Sequence, residues 1–441
     1  MFAEPFVRAS CLALTLFSLS APLFAQQPLS LSDAVALARE QDPWLEGSRL
    51  RQQALAASEV AAGTLPDPMV SMGAANLPTD TFNFNQEPMT QFMVGVSQAL
   101  PRGDSLELSQ SRYALLGEQQ THLRADRREQ VAVTVAGLWL DAWQAQESAR
   151  LIENDRALFE YLVEVAQNSY ANTLGQTRQQ DVIRAQLELT RLDDRIASLR
   201  QQRDTALGQL GEWLGEGYGV DVGVGQSLPE LELRAADRVR TEAAVDSTWL
   251  GQVLSAHPMV SGVEQTIAAS DVGVELARQK YRPQWGLSAS YGYREDAPDG
   301  MDRADFFSVG LSFDLPLFTG NRQDQELQSA AAEAEASRTD RALALRRLRA
   351  GFEAERARLA QLDARNSLYS DRLLGQMRDQ YEAALSAYTS VEGDFAEVVR
   401  ARIDELNARV EALGIRVERQ RAIARLNYYL AGLSAAEETA S

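Results

Sequence analysis

Histidine, cysteine and paired carboxylates are the side chains best suited to chemistry, and this sequence brings few of them together. Its two histidines, His122 and His257, stand far apart in different halves of the chain. The single cysteine, Cys11, lies in an apolar N-terminal run. No His-His metal pair and no Ser-His-Asp arrangement can be assembled from this inventory. Met69, Met72, Met89 and Met93 gather in one region; thioethers can hold soft metals, but methionines more often fill apolar space. Gly217-Tyr218-Gly219 and Gly223-Val224-Gly225 look like phosphate-cradling loops, yet no Gly-Lys-Ser/Thr follows, so they read as ordinary loop. The 62 acidic and 43 basic side chains give a formal charge of −19. That balance argues against a nucleic-acid partner, which needs clustered Lys and Arg, and suits cationic cargo or a basic partner. No catalytic residue, metal site or cofactor is expected.

One charged arrangement does recur. Asp181-Val182-Ile183-Arg184-Ala185 matches Glu397-Val398-Val399-Arg400-Ala401 at a shift of 216 positions. Each sets an acid and an arginine at i and i+3, on one helical face. The first follows a turn at Leu174-Gly175; the second follows a longer turn from Ser386 to Asp394. The same shift, within one position, governs the whole chain. Val94-Gly95-Val96-Ser97-Gln98-Ala99-Leu100-Pro101 recurs as Val309-Gly310-Leu311-Ser312-Phe313-Asp314-Leu315-Pro316. Asp42-Pro43 falls on His257-Pro258, and Pro68 on Pro283. So long a period indicates a duplicated domain rather than a solenoid.

Residues 1–25 read as a secretory signal: Arg8 precedes the apolar core from Cys11, and Pro22-Leu23-Phe24-Ala25 offers a cleavage site after Ala25. Cys11 opens that core instead of following it, which argues against a lipid anchor. The mature chain then holds no cysteine, hence no disulfide or thiolate metal site. Beyond the signal, no apolar run approaches the roughly 18 residues of a transmembrane helix.

The first copy spans 26–214. A helix capped by Ser30 or Ser32 is predicted to about Gly63, with a kink at Pro43. Alternating residues predict strands at 68–76 and 91–100, the second with Phe92, Val94 and Val96 on one face. A proline-free helix is expected over 105–172. Its apolar stripe (Val131, Val135, Leu138, Ala142, Ala145, Ala149, Ile152) repeats every 3.5 residues, is broken at Arg156, and resumes at Phe159. At about 1.5 Å per residue that helix is about 100 Å long. A return helix over 178–214 is half as long, and the opening helix supplies the missing length if the two stack end to end.

Residues 215–243 form an inter-repeat linker. The second copy, 244–432, repeats the plan: a helix from Val245 to Gln279, strands at 284–293 and 306–315, a long helix over 321–388, and a return helix over 394–430. Residues 433–441 read as a polar tail.

Strands with one apolar and one small or polar face, in an exported chain, are the pattern of a membrane β-barrel. Four strands cannot close, and open edges in lipid leave backbone groups unpaired. Several chains must therefore share one barrel, two giving eight strands and three giving twelve. Helices of about 100 Å exceed any bilayer and must project as a tube.

These features resemble the TolC family of outer-membrane efflux proteins, across about residues 28–432. The carriers are Leu65-Pro66-Asp67-Pro68, Ser97-Gln98-Ala99-Leu100-Pro101-Arg102-Gly103 and Ser312-Phe313-Asp314-Leu315-Pro316-Leu317-Phe318-Thr319-Gly320. The resemblance implies an α+β fold: a homotrimer with a twelve-stranded outer-membrane β-barrel continued by a periplasmic α-helical barrel. It implies docking to a periplasmic adaptor and, through it, to an inner-membrane pump, with lipid around the barrel. Leu65-Pro66-Asp67-Pro68-Met69, Asn76-Leu77-Pro78 and Met89–Gln98 look most like the heavy-metal efflux subgroup, which implies a pump of the resistance-nodulation-division (RND) type and metal-cation cargo. Drug efflux, type I protein secretion and a purely structural coiled-coil scaffold or adhesin are the alternatives. By the same resemblance the helical turns form the periplasmic tip, with Gly175, Asp181, Arg184, Asp394, Glu397 and Arg400 as candidates for a constriction or docking surface. Glu397 fits an acidic ring, whereas Arg400 stands where relatives carry a second acid. Pro68, Pro101, Pro283 and Pro316 mark where strands become helices.

Overall fold

The computed structural model describes residues 28–171, 179–215, 223–241, 245–390 and 393–440. The signal segment with Ala25, and Gly175 at the first turn, lie outside them. Each half begins with a broken helix. In the first, α1 (Leu31–Gln41) and α2 (Pro43–Ala62) part at Asp42, because Pro43 cannot continue a helix yet suits the first turn of the next. Ser30 caps α1 and Asp42 caps α2. In the second, α6 (Ser247–Ser255) and α7 (Pro258–Gln279) part in the same way, so the single helix expected from Val245 is two. The linker contains a short helix, α5 (Ala236–Thr241).

Strands β1 (Met69–Ala75), β2 (Gln91–Leu100), β3 (Trp285–Tyr293) and β4 (Phe306–Phe313) form one antiparallel sheet in the order β1-β2-β3-β4. The halves of the chain meet at β2 and β3, in a register that sets Val94 opposite Tyr291 and Leu100 opposite Trp285. Because side chains alternate, the pairing sorts each strand's residues onto two faces. Val70, Met72, Phe92, Val94, Val96, Leu287, Tyr291, Phe307, Val309 and Leu311 share one face, all exposed in the single chain. The other face is mostly small: Ser71, Gly95, Ser290 and Ser308 form one row and Ser97, Ser288 and Gly310 the next, with Met69 at the edge of that row and Met93 and Phe306 at the far end of the sheet.

From the sheet run α3 (Ser105–Ala171) and α8 (Gln323–Leu368), with returns α4 (Gln179–Leu214) and α10 (Phe395–Tyr429). The 67 residues of α3 span about 100 Å. The second long segment is not one continuous helix. A π-helical turn, Tyr369–Leu373, separates α8 from α9 (Leu374–Thr389). Residues 433–441 are not a polar tail throughout: Leu433–Ala440 is a helix, α11, and Leu433 packs on the core of the second half.

Three apolar clusters lie along the bundle. The first sets Trp139, Leu140 and Trp143 of α3 against α1 and the end of α4, with Trp139 Nε1 donating to Leu29 O at 2.9 Å. The second joins Phe352, Leu348 and Leu359 of α8 to Ile423, Leu426 and Leu430. The third, at the far end, holds Phe159, Leu162, Ala185, Phe395, Val398 and Val399. No described helix is long and apolar enough to cross a membrane.

Candidate functional site

Two places stand out, one at each end of the long helices. The first is the junction with the sheet. Pro68 precedes β1, Pro101 follows β2, Pro283 precedes β3 and Pro316 follows β4, so all four lie at one rim. Proline cannot donate to a ladder and so ends the pairing there. The rim is closed by side chains in or beside the quoted motifs, to which the sequence assigned no role. Arg102 ion-pairs with Asp314 of the other half and donates from Nη1 to Lys280 O at 2.9 Å. Asp314 Oδ1 accepts from Gln284 N at 2.6 Å. Arg282 pairs with Asp104 at 3.1 Å, and Lys280 with Glu326 at 3.0 Å. Gly103 has φ +45°, and a Cβ there would strike Gln279 and Arg282. The left-handed backbone favours glycine there, and any side chain would have to displace the ends of Gln279 and Arg282. Below the rim, a cavity of about 780 Å³ opens between α3, α7 and α8, lined by Arg102, Arg112, Lys280 and Arg322 with Glu326 and Glu333.

The second place is the opposite end. Here the matched tetrads diverge. Asp181 is buried in the first turn of α4, whereas Glu397 is exposed on α10. Arg184 and Arg400 are both exposed. Among the described residues, Glu397, Arg400 and Arg184 form no ion pair with one another or with neighbours. Asp394 has a capping function: its Oδ1 accepts from Ala396 N at 3.1 Å, satisfying a first-turn amide. Among the described residues, Arg184, Glu397 and Arg400 are thus not joined to one another by ion pairs within one chain. Gly393, absent from the sequence-based candidates, closes the second turn. Its N donates to Ala387 O at 2.9 Å, and a Cβ would lie 2.7 Å from Tyr388 N and 2.8 Å from Ala387 C.

Behind this tip lies a buried ionic network. Arg402 binds Asp155 at 2.9 Å and Glu405 at 2.6 Å, and Arg409 reaches the same two acids at 3.4 and 2.8 Å. The Arg402 guanidinium also lies 5.0 Å from the centre of the Tyr381 ring. The network joins α3 of one half to α9 and α10 of the other. Its signal in the sequence is the interrupted stripe of α3: between Ile152 and Phe159 the core-facing position falls to Asp155, next to the Arg156 that breaks the apolar pattern.

Among the described residues no group of three or more His, Cys, Asp or Glu could hold a metal ion. Residues 249–432 match the family model for the outer membrane efflux protein. Protein CyaE of Bordetella pertussis is 28% identical over 236 residues, 52% of this chain and 47% of that protein. The multidrug resistance outer membrane protein MdtP of Escherichia coli O157:H7 is 24% identical over 225 residues, 50% of this chain and 43% of that one. The chain thus spans about half the length of the curated relatives it matches. Among solved structures, CusC, described in terms of folding and transmembrane channel formation, superimposes with a TM-score of 0.73 at 15% identity, covering 91% of each chain. Residues 249–432 thus match the outer membrane efflux protein family, and along nearly its whole length the chain shares the fold of solved outer-membrane channels.

Proposed function

We propose that this protein is the outer-membrane exit duct of a tripartite efflux system in a Gram-negative bacterium. It works as a passive conduit rather than an enzyme. The observation that carries this reading is the sheet: four strands with an exposed apolar face, a mostly small opposite face, and β1 and β4 at its open edges. Open edges are excluded from lipid, so edge must meet edge in another copy. Three copies make a twelve-stranded barrel, and the helices extend it through the periplasm. The tip then meets a periplasmic adaptor and an inner-membrane pump.

The proposed cargo is heavy-metal cations delivered by an RND-type pump, supported by the Leu65–Met69 and Met89–Gln98 stretches and by the acidic charge of −19. Similarity to a multidrug resistance protein favours drug efflux as the second reading. A strain lacking the gene, screened against metal salts, dyes and antibiotics, separates the two: sensitivity to metals supports the first, sensitivity to drugs alone the second. Conductance of purified protein in a planar bilayer tests the duct itself. A chain that never forms pores would be the structural scaffold instead.

A further inference from the structure

The two stretches that flank the open edges of the sheet carry apolar side chains at the same rim. On the β1 side, Leu65 and Met69 are 53% and 72% exposed. On the β4 side, Leu315, Leu317 and Phe318 are 57%, 72% and 92% exposed. Phe318 is the extreme case, a large apolar side chain with almost nothing against it in the single chain.

Neither stretch is a loose end. Gln98 Nε2 donates to Pro66 O at 2.7 Å, which fixes the first to β2. The second is held at Asp314 by Arg102 and Gln284 N. It bends through Leu317 N to Leu315 O at 2.8 Å, and its far end is fixed by Arg322 N and Asp324 N donating to Thr319 O at 3.1 and 3.0 Å. The structure presents Phe318 on a braced bend.

The topology says what faces that bend. All neighbouring strands are antiparallel, so in a shared barrel the β1 strand of the next copy runs antiparallel to β4. The start of β1 and the end of β4 then meet at one rim. We propose that Leu317 and Phe318 of one copy clasp Leu65 and Met69 of the next, sealing the seam where barrel becomes helical tube. This inference rests on the shared-barrel reading above.

The test uses paired cysteines in the full chain on a Cys11→Ser background, treated with a short bifunctional thiol reagent in outer membranes. Within one chain the two edges lie three strand spacings apart, roughly 14 Å, beyond a short cross-link. Leu65→Cys with Phe318→Cys should therefore give bands at two and three times the chain mass. Met72→Cys combined in turn with Leu311→Cys and Phe313→Cys reports the strand edges alone. Ladders from both sets support the clasp. A ladder from the strand edges with none from Leu65 and Phe318 overturns the clasp and leaves the shared barrel standing. No ladder from either overturns both. Phe318→Ser should also lower the temperature at which the oligomer dissociates in detergent; an unchanged temperature counts against the clasp.

Discussion

Asp42 and His257 hold the same place in the two halves of the chain, each capping a helix that begins at a proline. Asp42 Oδ1 accepts from Trp44 N at 3.0 Å and pairs with Arg127 at 2.7 Å. His257 Nδ1 accepts from Met259 N at 3.2 Å, while Nε2 donates to Tyr428 O at 3.0 Å. Both ring nitrogens are thereby committed to the neutral imidazole. Burial pushes the His257 pKa down from 6.5 to about 4.

The sign of the pH effect follows. Above about pH 6.5 the imidazole is neutral folded or unfolded, and its contribution is whole. As pH falls, the unfolded chain takes up the proton first, so the fold loses stability until about pH 4. The drop corresponds to about 3 kcal/mol. Buried Asp126, which accepts from Tyr428 Oη at 3.1 Å, has its carboxyl pKa raised by burial and responds in the opposite direction. His257→Asn isolates the imidazole: its melting temperature should fall less than that of the wild type between pH 7 and pH 4. Parallel curves would remove His257 as the source.

The buried network at the tip predicts an asymmetry between single and combined changes. Arg402→Met leaves Asp155 and Glu405 inside the bundle with only the part-exposed Arg409 as counter-charge and should cost about 3 kcal/mol. Replacing Arg402, Asp155 and Glu405 together with apolar residues should be nearly neutral. Hydrogen exchange across residues 374–409 reads the difference. Faster exchange in the single variant and near wild-type protection in the triple one is expected; equal loss in both would mean that packing alone holds the hairpin.

Much of this architecture is legible in the sequence because two periods dominate it. Alternation marks β3 and β4, and the long proline-free runs mark α3 and α8. The order β1-β2-β3-β4 is not, since residues 100 and 285 meet only through the tertiary fold. The π-turn at Tyr369–Leu373 has no proline or glycine to announce it. Helix α11 is too short for its period to show. At the tip, the Asp181 and Glu397 tetrads are alike as text, yet burial separates them.

Gly393 predicts a steric effect confined to one turn. Gly393→Ala brings a Cβ to 2.7 Å from Tyr388 N, a backbone atom that cannot swing away. An overpacking cost of about 1–3 kcal/mol is expected. At Gly375 in α9 a Cβ would meet nothing within 4 Å, so Gly375→Ala should instead stabilise by about 1 kcal/mol or less. Limited proteolysis near residue 390 should accelerate in the first variant and slow or hold steady in the second.

Glu397 and Arg400 predict how the tip would treat ions. They stand one turn apart on α10, both exposed, so in a threefold tube each would form a ring of three like charges. A unit charge about 10 Å from an ion contributes roughly 0.4 kcal/mol in water-like surroundings. Three contribute about 1 kcal/mol, about a fivefold change in local cation occupancy at low salt. Glu397→Gln should lower cation preference and Arg400→Glu should raise it. Reversal potentials across a planar bilayer measure both, and the differences should shrink at 1 M salt, where the Debye length is about 3 Å. If neither substitution moves the reversal potential at low salt, these side chains do not line the narrow part of the path. The charge preference of the tube would then have to arise elsewhere, with the arginine-rich cavity at the barrel junction the next place to substitute.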